Sequence, residues 1–299
     1  MKVFLCLVCA VCATTSYAQD DVVFRSGVSL VRVDAEAVDP GGRVVPGLTK
    51  GDFRVLDNGA AQTLVNFSFD VEPLDLILLF DTSGSMHGKL LNVVRATELG
   101  FDELHKTDRI CVRAFSANST ELQPFTSNLQ AVNEAILLRV LPLKFGGTSR
   151  VEPAVDEAAI RFRNEPKTNR KRAVLIITDK TGGHADEMAI VRNLWNSDAV
   201  VSELILDRGS QTKLLDAGTN GIVDKTGGAT IMAGVPGEAF RDSVHYVRTG
   251  YAMYYALPDA SSGSERKLQV ELTPEAAKRL PNVHIRARSG YIVPAQTAK

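Results

Sequence analysis

The feature that most constrains this chain is the apolar run Leu74-Asp75-Leu76-Ile77-Leu78-Leu79-Phe80, which breaks off abruptly at Asp81-Thr82-Ser83-Gly84-Ser85. A segment this short and this continuously apolar suits a strand buried on both faces of a parallel sheet. Ala173-Val174-Leu175-Ile176-Ile177-Thr178 is a second such run, and residues 110–115, 199–206 and 229–232 read as further strands. Between them lie stretches with helical periodicity. Residues 89–105 place Leu90, Val93, Val94, Thr97 and Phe101 on one face. Residues 129–140, 151–162, 188–195, 213–223 and 238–247 also read as helices. Strands alternating with helices predict an α/β fold, a doubly wound and mostly parallel sheet with right-handed crossovers, over residues 73–249.

The two ends have a different texture. Residues 19–72 lack helical periodicity and read as strands and turns, with Asp57-Asn58-Gly59 as a hairpin signal. Residues 250–299 return to strands at 251–257, 267–272 and 283–288, with a short helix opening at Thr273-Pro274-Glu275. The expectation is one β-rich unit built from both chain ends, flanking the α/β domain.

Of the 299 residues 44% are hydrophobic and 23% charged, which argues against disorder and against a multi-span membrane protein. Lys+Arg 34 against Asp+Glu 35 leaves a formal charge of −1, so no bulk field selects nucleic acid. Lys2, the apolar run 3–13 and Ser16-Tyr17-Ala18 have the order of a cleavable export signal over residues 1–18. Cleavage after Ala18 predicts a secreted or periplasmic protein with no membrane span in its mature chain. It also removes Cys6, Cys9 and Cys12, leaving Cys111 as a buried, inert thiol within a strand.

The chemistry gathers at the carboxyl ends of the strands, where open α/β sheets bind their ligands. Asp81, Ser83 and Ser85 offer one carboxylate and two hydroxyls from a tight loop. Thr148 follows Gly146-Gly147, and Asp179 ends the second apolar run. Two negative charges and neutral hydroxyls make a hard oxygen set suited to Mg²⁺ or Mn²⁺ rather than Zn²⁺. Such a set leaves the ion electrophilic, with room for water or an external carboxylate. The simpler reading of Asp81 to Ser85 is helix capping, for which Asp and Ser are favoured residues. His87 reads as a solvated histidine, and His184, Asp186 and Glu187 as charges of a first helical turn. Residues 167–172 read as a basic, solvated turn. The repeat of Asp-Lys-Thr-Gly-Gly at 179–183 and 224–228 reads as two unrelated turns.

Asp-x-Ser-x-Ser after a buried strand, with Thr148 and Asp179 on later loops, resembles the von Willebrand factor A domain and its metal-ion-dependent adhesion site. The resemblance covers residues 73–250. It implies direct ligation by Ser83 and Ser85, ligation by Thr148 directly or through water, and outer roles for Asp81 and Asp179. It also implies a protein ligand that completes the metal with an Asp or Glu carboxylate. The flanks Gly47-Leu48-Thr49-Lys50-Gly51-Asp52-Phe53, Asp57-Asn58-Gly59 and Arg288-Ser289-Gly290-Tyr291 resemble exported bacterial "VWFA-related" proteins known from Acidobacteria. One departure is Lys180, where the family often has glycine. The expected function is a non-enzymatic binding module. The alternatives are a hydrolase using ion-activated water, for which no additional acid–base pair is visible, and a subunit of a cell-envelope assembly.

Overall fold

Each strand of the central sheet has a physical reason to be where it is, and the chain order makes this plain. A computed structural model describes residues 29–94, 97–166, 168–179, 187–206, 213–214, 221–233 and 235–295. The export-signal segment 1–18, Lys180, His184 and Asp186 lie outside the described residues. The chain opens with β1 (Leu30–Val38), β2 (Phe53–Asp57), β3 (Ala60–Gln62) and β4 (Leu64–Phe69). There follow β5 (Leu74–Asp81), α1 (Leu90–Val94), α2 (Thr97–Phe101), β6 (Arg109–Phe115), β7 (Ser119–Thr126), α3 (Leu129–Ala135), α4 (Val151–Arg163) and β8 (Lys171–Thr178). Next come α5 (Glu187–Asn196), β9 (Ala199–Ile205), β10 (Lys213–Leu214), α6 (Gly221–Thr226), β11 (Thr230–Met232) and α7 (Pro236–Arg248). The chain closes with β12 (Tyr251–Ala256), β13 (Glu265–Leu272), α8 (Pro274–Arg279), β14 (His284–Ala287) and β15 (Gly290–Ile292).

The central sheet has the order β10-β11-β9-β8-β5-β6-β7. Neighbours from β11 to β6 run parallel, and β10 and β7 are antiparallel edges. Every residue of β5, β8 and β9 is buried. Alternation along β5 divides its side chains between two cores. Leu74, Leu76, Leu78 and Phe80 pack with Leu90, Val93, Phe101, Phe240 and Val244 on one face. Ile77 and Leu79 pack with Val155, Phe162, Val191 and Trp195 on the other. Each fully buried Leu, Ile or Phe contributes about 1.5–3 kcal/mol, which is why a strand this apolar goes to the sheet's centre. Cys111 lies in β6, buried and unpaired, as its strand context predicts.

The flanking unit is two four-stranded sheets, β14-β1-β12-β4 and β15-β13-β2-β3. Both sheets combine strands from the two chain ends, alternating in the first and paired as β15-β13 beside β2-β3 in the second, and one core of Val33, Phe53, Val55, Tyr251, Met253, Tyr255 and Tyr291 lies between them. Asn58 and Gly59 both take positive φ (48° and 82°) in the β2–β3 turn, as a tight hairpin requires.

Two sequence expectations are corrected, and one strand falls where the sequence analysis placed none. Residues 213–223 are not one helix from end to end: 213–214 pair with β11, and the described helix is Gly221–Thr226. The basic segment read as a solvated turn is solvated only in part: Thr168 and Asn169 are exposed, but Arg170, Lys171 and Arg172 point inward. Arg170 pairs with Asp75 at 2.5 Å and Lys171 with Glu36 at 3.0 Å, while Arg172 donates to the carbonyls of Ser197 and Pro166. Strand β7 was not expected. Its Pro124 is tolerated because an edge strand can spare one N–H.

Candidate functional site

Strand β5 delivers Asp81 to the carboxyl edge of the sheet with its side chain fully buried. The loop beyond it is pinned from two sides. The Thr82 N–H and hydroxyl both donate to the carbonyl of Phe115 at the end of β6, at 2.7 and 3.0 Å. The Gly146 N–H donates in turn to the Thr82 carbonyl at 3.1 Å. A Cβ built on Gly84 would sit 3.9 Å from the Gly146 Cα, so the first and second loops are in contact.

Asp81 organises the centre. One carboxylate oxygen accepts the Ser83 N–H at 2.8 Å, closing a turn of the kind aspartate side chains favour. The other accepts the hydroxyls of Ser149 and Thr178, each at 2.7 Å. With three donors on it, this carboxylate is held rigidly. Ser83 precedes a single helical turn, Gly84–Met86, yet its hydroxyl makes no capping hydrogen bond. It lies instead 3.4 Å from the hydroxyl of Ser85, and Ser85 donates to an Asp179 oxygen at 3.0 Å. The other Asp179 oxygen accepts the Lys89 ammonium at 2.7 Å.

Four of the five residues singled out in the sequence, Asp81, Ser83, Ser85 and Asp179, therefore meet through hydrogen bonds. Thr148 stands on the adjoining loop with its side chain exposed, and its neighbour Ser149 makes the contact to Asp81. Ser149, Thr178 and Lys89 were missed. The first two adjoin residues already named. Lys89 carries a weak signal, standing four positions after Ser85 at the start of a helix.

The weaker candidates fall elsewhere. His87 is exposed, its ring edge-on to Phe145 at 5.7 Å. Glu187 heads α5 and pairs with Lys225 at 3.6 Å. Among the described residues no group of three or more His, Cys, Asp or Glu side chains gathers as a metal cluster. What converges here is different chemistry: two serine hydroxyls between two aspartates, a hard-oxygen set that fits Mg²⁺ or Mn²⁺ and offers nothing to a soft metal.

Residues 76–183 match the family described as the von Willebrand factor type A domain. An uncharacterised protein of Synechocystis sp., sll0103, is 30% identical over 116 residues, covering 38% of this chain. The chain spans 27% of the length of that relative. Among solved structures, a von Willebrand factor type A protein from Catenulispora acidiphila overlaps 93% of this chain and 77% of its own at 13% identity and TM-score 0.48. An aerotolerance-related membrane protein from Bacteroides fragilis overlaps 58% of this chain and 98% of its own at 16% identity and TM-score 0.47. The family match runs from inside β5, through both loops that meet at Asp81, to residue 183, so the segment that carries the candidate site is similar to the von Willebrand factor type A domain.

Proposed function

We propose that the chain is an exported, non-enzymatic binding module that engages an Asp or Glu carboxylate of a protein ligand through Mg²⁺ or Mn²⁺. Asp81, Ser83, Ser85, Thr148 and Asp179 hold the ion, and the ion supplies an electrophilic point for that carboxylate. The observation that carries this reading is the pair of serine hydroxyls set between two aspartates and not spent on capping. Serine oxygens leave the ion's charge largely uncompensated, which favours capture of an external anion. The surrounding carboxylates support binding over hydrolysis. Asp81 already accepts three hydrogen bonds, and Asp179 is shared between Ser85 and Lys89, so neither is placed as a general base.

The test is a Mg²⁺-dependent pull-down from the native cell envelope, run beside Ser83→Ala, Asp179→Ala and chelator. Loss of the same partner in all three arms supports the reading, and retention in chelator overturns it. Export rests on the signal-like segment 1–18, and N-terminal sequencing of protein recovered from the host checks for a mature start at Gln19.

A further inference from the structure

We propose that Lys89 is a tethered competitor for the metal, a built-in ammonium that Mg²⁺ or Mn²⁺ must dislodge from Asp179 before the site loads. The inference rests on the metal reading above and concerns what sets its affinity.

The local backbone aims this side chain. The helical turn Gly84–Met86 is capped by His87 and followed by Gly88, whose φ of +83° reverses the chain in a conformation that side chains resist. The Lys89 N–H then donates to the Met86 carbonyl at 3.1 Å, and the next residue, Leu90, is buried in the core. Lys89 is thus held at both ends of its own backbone while its side chain stays partly exposed. From there its ammonium reaches Asp179 at 2.7 Å, and Asp179 itself is only 5% exposed.

The ammonium sits on a carboxylate that the cation needs. Because Lys89 is fixed to the same fold, its encounter with Asp179 carries no translational cost, and its effective concentration far exceeds that of a free monovalent ion. It also changes the charge a divalent cation meets. Asp81 and Asp179 alone present two negative charges; with Lys89 in place the net is one. Like-charge repulsion over a few ångströms in a partly desolvated site is large enough to alter affinity by an order of magnitude. Lys89 therefore raises the cation concentration at which the site fills. Once displaced, it leaves a free ammonium beside the metal.

Equilibrium titration of the full chain with Mn²⁺, read by the electron paramagnetic resonance signal of the unbound ion, tests this. The proteins are wild type, Lys89→Met and Lys89→Arg, each checked by circular dichroism and thermal melting. Lys89→Met is expected to bind Mn²⁺ about tenfold more tightly, while Lys89→Arg, which keeps the charge, stays near wild type. Equal or weaker binding by Lys89→Met overturns the inference and leaves the metal site standing. If neither wild type nor Lys89→Met takes up Mn²⁺, the metal site itself falls and the inference with it.

Discussion

The Tyr291 hydroxyl donates a 2.9 Å hydrogen bond to the carboxylate of Asp57, joining residues 234 positions apart. Asp57 belongs to the Asp-Asn-Gly turn near the start and Tyr291 to the Arg-Ser-Gly-Tyr sequence near the end. The same carboxylate accepts the Tyr255 hydroxyl at 2.8 Å and Arg266 Nε at 2.7 Å, and it is fully buried. The rest of the closing motif faces the α/β domain. Arg288 donates to Asp198 at 2.8 Å, and the Ser289 N–H to the Lys225 carbonyl at 3.0 Å. Two motifs that carried a resemblance in sequence are, in the structure, the joint that closes the flanking unit and seats it on the domain.

Tyr291→Phe removes one donor from that buried carboxylate and leaves the rest of the ring in place. The expected cost is about 1–3 kcal/mol of stability, read by urea denaturation. An unchanged midpoint would show that Tyr255 and Arg266 satisfy Asp57 by themselves.

Gly100→Ala sets helix propensity against packing. Alanine favours a helix over glycine by up to about 1 kcal/mol. A Cβ there, however, would lie 2.5 Å from the ring of the fully buried Phe240 of α7. Overpacking at about 1–3 kcal/mol wins, so the variant should unfold at lower denaturant. A stabilised variant would mean that α2 and α7 can separate.

Much of this was legible beforehand. A fully apolar run has only one comfortable place in an α/β fold, so β5 and β8 could be put at the sheet's centre, and the strand-end rule then gathered Asp81, Ser83, Ser85 and Asp179. The illegible parts have physical causes. Strand β7 is polar and holds a proline, and β10 is two residues long, so neither has a period to detect. Which hydroxyl of Thr148-Ser149 reaches Asp81 depends on loop torsions, including φ +75° at Gly147, that residue spacing does not encode. The inward turn of Arg170, Lys171 and Arg172 depends on acceptors brought from distant sequence, such as Asp75 and Glu36.

That last pairing has a pH signature. Burial pushes the Glu36 carboxyl up to about 7, against the pull of Lys171. A carboxyl that holds its proton more firmly folded than unfolded adds stability that is fully present below its unfolded pKa of 4.5 and fades as pH rises through the folded value. The stability of wild type relative to Glu36→Gln should therefore fall between about pH 4.5 and 7, by no more than about 3 kcal/mol. Paired melting curves across that range measure it; a flat difference would contradict the assignment.

Cys111 should be silent in the native protein. Burial first, and the nearby Glu121 carboxylate second, push its thiol well above the ordinary range, and its side chain is fully covered. A thiol-specific disulfide reagent should report no reaction until denaturant is added, and then one equivalent from a chain lacking residues 1–18. Rapid native labelling would show that β6 opens locally.

Strands β4 and β12 lie side by side in one sheet, so the chain enters and leaves the α/β domain through neighbouring strands. Asp81 stands at the other end of β5, whose eight residues span roughly 26 Å. The serine loop thus lies a full strand's length from the double-sheet base. The candidate site and the joint of the two chain ends therefore stand at opposite ends of β5.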